Sequence, residues 1–310
     1  MNKILPTTRG IKNCRASRLF KGCSPLQLLC NLTGNCPQSA TFHTANVGTN
    51  FMKKFRHIAT LILAVFLFGH TFAQEIKSTD FYSQIKNYDL STILTTDSIL
   101  TEDREGGNEK IQRSEILGFI GDNYQRFQIH LISVIQNPTN PYEYLVFGKT
   151  KVKETICSFQ GIIKIAKSGL YKTAEIPNYK QGFAECDVVL YEDSKQPSTG
   201  FFKGKLTSNF LIDNYENFRY DALMFVADGF SNNQFVGSWT SYKTNKSKKC
   251  NWGDYRIPES GNFDIGAGEF SIDDKYIKNG WENYKLAWGT YPETSKVIKA
   301  RQIENEQWWK

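Results

Sequence analysis

The chain has 310 residues, a formal net charge of +7 and a hydrophobic content of 40%. This composition excludes an intrinsically disordered protein and predicts a globular chain of one or two domains. Seven cysteines in 310 residues are too few for a small disulfide-rich scaffold.

The positive charge is concentrated at the start of the chain. No Asp or Glu precedes Glu75, whereas residues 1–73 contain nine Lys or Arg. Residues 74–310 contain the remaining 29 basic residues and all 31 acidic residues, and they therefore carry a net charge of −2. A basic chain would suggest a nucleic-acid partner. Because the excess belongs to the leading segment, we expect no nucleic-acid partner.

Residues 52–73 have the three parts of a secretory signal peptide. Met52 is followed by three basic residues, an apolar run from Ile58 to Phe68, and small residues before a cleavage after Ala73. The apolar run is shorter than the roughly 20 residues that a spanning helix needs. We expect cleavage between Ala73 and Gln74, export to the periplasm or the cell exterior, and no transmembrane segment in the mature chain.

Residues 1–51 show no sustained periodicity and precede the predicted signal peptide. We interpret them as an upstream extension of the reading frame, with translation starting at Met52; an organellar presequence is the alternative. The mature chain then keeps Cys157, Cys186 and Cys250. Export permits at most one disulfide among these three, and the sequence does not select a pair.

Residues 74–116 form a polar N-terminal segment. Within it, Phe81, Ile85 and Tyr88 have the spacing of one helix face and predict a short helix. Residues 101–113 are charged and contain Gly106 and Gly107, which predicts a loop.

Residues 117–269 are predicted to form an antiparallel β domain. Runs rich in Phe, Ile, Val, Tyr and Thr alternate with short turn segments, and no helical pattern separates them. This favours an antiparallel meander that closes into a barrel, with a β-sandwich as the alternative. The predicted strands are 126–136, 142–152, 156–167, 183–192, 200–212, 217–226, 234–243 and 250–257.

A Phe-x-Gly motif recurs on three of these strands, beginning at Phe159, Phe202 and Phe235. Glycine inside a strand marks a bend or a close backbone approach, as a small barrel requires. The third copy extends to Gly237-Ser238-Trp239, and this Gly-x-Trp resembles the signature of lipocalin-like (calycin) barrels. The resemblance implies a barrel and carries no ligand. In that family the motif lies on the first barrel strand, whereas here it lies late in the chain.

Residues 270–310 are predicted to be a helical segment packed on the β domain. Tyr276, Ile277, Trp281 and Tyr284 have helical spacing, and residues 295–309 contain no Gly or Pro. We interpret the terminal Trp308-Trp309 pair as packing.

Most catalytic and metal-binding patterns are absent from the sequence. Residues 74–310 contain one histidine, His130, which is more typical of a surface or core residue than of a catalyst, and no Cys-x-x-Cys or His-Glu-x-x-His motif. We therefore assign no catalytic residue, no metal ligand and no cofactor. The carboxylates that would serve a two-carboxylate glycan hydrolase are Glu143, Asp187, Asp221, Asp228 and Asp254.

The segment 221–258 contains the candidate ligand-binding residues. Flat aromatic rings beside polar side chains are the components of a sugar-binding platform or of a cavity mouth, and a packed barrel core is the alternative interpretation. These candidates are Trp239, Tyr242, Trp252, Asp254, Tyr255 and Arg256. Four lysines between the same strands are candidates for anion binding, with a solvated hairpin tip as the alternative; they are Lys243, Lys246, Lys248 and Lys249.

The sequence thus predicts an exported, non-catalytic binding or interaction protein of the cell envelope. The expected partner is a small apolar molecule, a glycan or an envelope protein. A secreted carboxylate-dependent glycan hydrolase and a structural envelope component are the alternatives. A hydrolase requires two facing carboxylates in a cleft, and a structural component requires a large exposed apolar patch.

Overall fold

The computed structural model describes residues 77–102 and 106–310. The predicted upstream extension, the signal peptide and the Ala73–Gln74 cleavage site lie outside the described residues. The described part is mainly β, with a strongly curled antiparallel sheet in the form of a half-barrel and a few helices near the C-terminus. This confirms the predicted fold class.

Thirteen strands and four α-helices are present among the described residues. The strands are β1 (Ser78–Asp80), β2 (Ser98–Glu102), β3 (Asn108–Gln112), β4 (Leu117–Ile120), β5 (Gln125–Arg126), β6 (Gln128–Asn137), β7 (Asn140–Val152), β8 (Thr155–Tyr171), β9 (Lys180–Glu192), β10 (Gly200–Ile212), β11 (Phe218–Tyr220), β12 (Asn232–Ser241) and β13 (Ser247–Asp254). The helices are α1 (Tyr82–Ile85), α2 (Ser91–Leu94), α3 (Glu282–Gly289) and α4 (Ser295–Glu304). No helix among the described residues is long and apolar enough to span a membrane.

The main sheet is an antiparallel meander whose last strand returns to its first. Strands β6 to β10 pair in sequence order, β10 then pairs with β12, β12 with β13, and β13 with β4. Short strands β1 and β11 add to β8 and β10, whereas β2 and β3 form a separate hairpin. Strands β5 and β6 are the two ends of the sheet order.

One predicted strand, 217–226, is much shorter than expected. Only Phe218–Tyr220 pairs with β10. The Asp221 carboxylate then accepts a hydrogen bond from the Leu223 amide at 3.1 Å, and Met224 has a φ of 58°. Because this local bond and the left-handed conformation turn the chain out of the sheet, the apolar residues that follow form turns instead of a strand.

The concave face of the sheet is packed with large side chains. The ring of Phe235 stacks on Trp252 at 3.6 Å, and both rings lie in the main core. Gly204 and Gly237 are direct cross-strand partners on this face. A Cβ on Gly204 would lie 2.6 Å from the Phe235 ring. The Phe-x-Gly motif therefore places aromatic rings over bare backbone, which permits the tight curl.

The C-terminal segment packs on the outer face of the sheet near β4. Trp281 is fully buried in a second aromatic cluster with Phe119 and Phe263, and its indole N–H donates to the Tyr124 carbonyl at 2.9 Å. This cluster covers one end of the convex face.

Candidate functional site

The interior of the half-barrel is too small for a ligand. The cavity there measures about 20 Å³ and is lined by core side chains that include Leu190, Leu206 and Trp252. A volume of this size holds about one water molecule. A sugar or lipid ligand therefore has to bind outside the core.

Three of the predicted aromatic residues make contacts within the chain, although Tyr242 exposes 37% of its surface. Trp252 is buried in the core, as the alternative interpretation expected. The Trp239 indole donates to the Glu192 carboxylate at 2.8 Å, and the Tyr242 hydroxyl donates to the Glu192 carbonyl at 3.2 Å. Burial raises the pKa of Glu192, and hydrogen bonds from Thr150, Trp239 and the Gly200 amide oppose that rise. These groups close one end of the half-barrel.

Asp254 lies at the centre of a buried polar network. Its carboxylate accepts from Arg113 Nε at 3.1 Å and Nη2 at 2.8 Å, from the Tyr220 hydroxyl at 3.0 Å and from Asn233 Nδ2 at 2.8 Å. Burial opposes the charged form of Arg113, yet the Asp254 carboxylate raises the pKa of Arg113 above its ordinary value. Because the lone pairs of Asp254 are already engaged, its role is structural.

Tyr255 and Arg256 follow the end of β13. Tyr255 has a φ of 62°, which interrupts the strand alternation. Burial raises the pKa of Tyr255 to about 12, with the Asp254 charge adding to the rise. The Arg256 guanidinium donates to Asp264 at 2.7 and 2.9 Å and to the Gly266 carbonyl at 2.6 Å. Arg256 therefore organises the loop that begins at Asp264.

Of the four candidate lysines, Lys243 and Lys246 lie in the exposed hairpin between β12 and β13, and Lys248 and Lys249 lie at the exposed start of β13. Lys249 pairs with Glu259 at 3.0 Å, and no ion pair involves Lys243, Lys246 or Lys248 in the described part of the chain. None of these four lysines belongs to the lining of the cleft described in the next paragraph. Their placement is that of a solvated hairpin tip.

A cleft of about 1670 Å³ opens between the sheet and the C-terminal segment. Its floor includes the cleft-side residues of β6, and its walls come from residues 110–117, the turn 225–230 and the C-terminal segment. Of the predicted ligand-binding residues, only Tyr255 and Arg256 line it. Its lining includes both aromatic and charged side chains, and Trp288 exposes 48% of its surface.

Two contacts attach the C-terminal segment to the sheet beside this cleft. The Arg126 guanidinium donates to both carboxylate oxygens of Glu304, at 2.7 and 2.5 Å. The His130 ring stacks on Trp309 at 3.7 Å, and its Nδ1 lies 3.3 Å from Glu115 Oε2. These contacts join both walls of the cleft to β5 and β6.

Sequence reasoning missed most of the residues that line the cleft. The sequence predicts His130 as a surface or core residue and Trp309 as a packing residue. The two rings do stack on each other, but neither prediction indicates the cleft that both residues line. Arg126 and Glu304 are 178 residues apart in the chain, and no local pattern joins them. The only sequence signal was the density of aromatic residues in the C-terminal segment.

The three cysteines of the described region, Cys157, Cys186 and Cys250, are buried and free. Among the described residues no group of three His, Cys, Asp or Glu side chains could hold a metal ion. Comparisons with protein-family models, with curated proteins and with solved structures give no match to this chain.

Proposed function

We propose that the protein is an exported, non-catalytic binding module of the cell envelope and that its ligand is a glycan bound in the cleft. One observation carries this proposal: a cleft of about 1670 Å³ lies outside a filled core and is lined by both aromatic and charged side chains. Its volume exceeds that of most small-molecule pockets and accommodates several sugar rings.

The chemistry of the lining favours a glycan over an apolar molecule. Sugar rings present C–H faces to aromatic side chains and hydroxyl groups to charged ones. Trp288 and Tyr255 supply aromatic surface, and Lys110, Lys285 and Glu269 supply polar groups at the same cleft. A purely apolar ligand would take Lys110 and Glu269 out of water without offering them a partner, whereas Lys285 already contacts the Ile272 carbonyl and Asp274.

Two of the five acidic residues that line the cleft have partners within the chain. Glu304 is held by Arg126, and Glu115 lies beside His130. A hydrolase requires one carboxylic acid and one free carboxylate facing each other across the scissile bond. Asp97, Asp228 and Glu269 line the cleft as well, so the hydrolase stays the alternative that the release of reducing sugar separates from binding.

The test is a thermal-shift screen of the purified protein against neutral and anionic oligosaccharides, followed by calorimetric titration of each hit. We expect a glycan to raise the Tm of the wild type and Trp288→Ala to weaken binding about three- to tenfold, since a ring contact contributes ~0.5–1.5 kcal/mol. The matched control is Tyr215→Ala, which removes another exposed aromatic ring, away from the cleft.

Three outcomes would overturn the proposal. The first is a panel without any hit, and the second is a hit that Trp288→Ala leaves unchanged. The third is stabilisation by fatty acids or extended peptides in place of glycans. Release of reducing sugar from a bound glycan would support the hydrolase alternative instead.

A further inference from the structure

Three connections between strands meet at one end of the half-barrel. In an antiparallel meander, alternate connections lie at the same end of the sheet. Phe159 near the β7–β8 hairpin pairs with Glu192, and Gly200 at the start of β10 pairs with Ser241. The β7–β8 hairpin, the β9–β10 loop and the β12–β13 hairpin are therefore neighbours. We call residues 149–156, 191–201 and 240–248 the hairpin end.

The hairpin end is rich in lysines that have no acidic partner. Two of them are half-buried and five are exposed. None makes an ion pair in the described part of the chain, in contrast to the nearby Lys205 and Lys249, which pair with Asp187 and Glu259. The seven lysines of the hairpin end are Lys149, Lys151, Lys153, Lys195, Lys243, Lys246 and Lys248.

These lysines make one end of an acidic body basic. The acids of the hairpin end are Glu154, Glu192 and Asp193, and Glu192 is buried. The turn 121–124 adjoins this end, because the Gly121 amide donates to the Lys249 carbonyl at 2.7 Å, and it adds Asp122. Seven basic and four acidic residues give this end a charge of +3, whereas the other 22 basic and 27 acidic residues of 74–310 give −5.

Exposed aromatic rings form a row at the same end. The Tyr191 and Phe201 rings lie 6.1 Å apart, and the Phe201 and Tyr242 rings lie 6.2 Å apart. Tyr191 and Tyr242 expose 51% and 37% of their surface, and Ile156 exposes 40%. Tyrosine rings favour the interface between lipid and water, where lysine buries its aliphatic stem and keeps its ammonium at the headgroups.

We propose that the hairpin end docks the protein on the surface of an anionic lipid membrane. Lipid phosphates neutralise the unpaired lysines, and the aromatic row enters the headgroup layer. The connections at one end of a curled sheet lie on an arc, and a flat surface can touch the whole arc at once. An anionic polysaccharide would pair with the lysines but would offer no apolar layer to Tyr191, Tyr242 and Ile156.

This membrane contact is separate from the cleft. No residue of the hairpin end belongs to the cleft lining. A docked protein therefore leaves the cleft open, and the glycan proposal and the membrane proposal succeed or fail independently.

The first experiment is flotation of the purified protein with vesicles that mix phosphatidylcholine and phosphatidylglycerol, with pure phosphatidylcholine vesicles as the neutral comparison. The triple variant Lys243→Gln, Lys246→Gln, Lys248→Gln should weaken binding at least tenfold, since each lysine near an anionic surface contributes about fivefold. The matched control is Lys86→Gln, Lys172→Gln, Lys296→Gln. It removes three exposed lysines without ion pairs elsewhere on the described chain and should leave binding unchanged.

A second pair of variants tests the aromatic row. Tyr191→Ser should weaken vesicle binding about threefold or more, because half of this ring is free to leave water. The control is Tyr215→Ser, since Tyr215 exposes 88% of its surface outside the hairpin end and should have no effect.

A footprint locates the contact on the wild type. Residues 1–73 hold nine basic residues and can bind vesicles themselves, so the lysines are acylated with and without vesicles and identified by mass spectrometry. Lys243, Lys246 and Lys248 should be protected, whereas Lys86 and Lys172 should react as before.

Four outcomes would overturn the proposal. They are equal binding to neutral vesicles, equal loss in the two triple variants, a footprint without protection at the hairpin end, and a Tyr191→Ser variant that binds like the wild type. The last result, together with competition by an anionic polysaccharide, would assign the lysines to a glycan instead of a membrane.

Discussion

A substitution at Asp254 tests whether the polar residues around β13 stabilise the fold or bind a ligand. Asp254→Asn keeps the shape of the side chain and removes its charge. The variant leaves the Arg113 guanidinium buried, at 8% side-chain exposure, without a counter-ion. It also turns an amide N–H₂ toward donors on Arg113, Tyr220 or Asn233 that now lack an acceptor.

The magnitude follows from this geometry. Removing one partner of a buried ion pair costs about 3–5 kcal/mol of stability. For a domain of this length, 1 kcal/mol shifts the Tm by about 2–4 °C, and the expected loss in Tm is therefore roughly 10 °C. The matched surface change is Glu293→Gln, which breaks the exposed pair with Arg301 and should cost less than about 1 kcal/mol.

Urea unfolding followed by tryptophan fluorescence measures both variants. A loss below about 1 kcal/mol for Asp254→Asn would refute the structural assignment of Asp254. The paired variant Arg113→Met, Asp254→Leu should recover part of the stability, since a buried ion pair replaced by apolar residues is often tolerated. Recovery would show that the cost of the single change is the unpaired charge.

Two further predictions concern buried titratable groups. Burial raises the pKa of Asp221 from 3.8 to about 6, so the folded chain retains a proton that the unfolded chain releases between these values. Stability should therefore fall by about 2 kcal/mol from pH 4 to pH 6, out of a full difference of about 3 kcal/mol, and a decline in urea midpoints that persists in Asp221→Asn would contradict this. Burial and nearby acids raise the pKa of Cys157 to about 11, and Cys186 and Cys250 are buried as well. All three thiols should therefore react with a disulfide reagent only in guanidinium. Labelling of the native protein within minutes would be inconsistent with their burial.

The sequence predicts the strands better than it predicts which side of them faces the core. Strand alternation puts Trp252 and Asp254 on the same face of β13. It could not show that this face points inward, because the partners of Asp254 are distant: Arg113 lies 141 residues away and Tyr220 lies 34 residues away. Long-range pairs of this kind leave no periodic trace.

The short strands and the cleft could not be predicted from the sequence, because both depend on contacts between distant parts of the chain. Strands β1 to β4 have three to five residues, and the sheet or hairpin partner stabilises them more than their own composition does. The cleft is assembled from β6, residues 110–117 and the C-terminal segment, and the Arg126–Glu304 and His130–Trp309 contacts help to join these parts. A pattern that repeats every two or four residues carries no record of such contacts.

The exposed outer face, by contrast, has a signal in the sequence that the strand assignment passed over. A strand covered on one face alternates apolar and polar residues, whereas a strand covered on both faces is apolar throughout. Residues 144–147 on β7 read Tyr-Leu-Val-Phe without interruption, although only Tyr144 and Val146 face the core. The β4 end of the convex face has its cover in the chain itself, through Trp281 and its neighbours. The uninterrupted apolar run on β7 has no such cover among the described residues, so Leu145 and Phe147 remain 48% and 45% exposed.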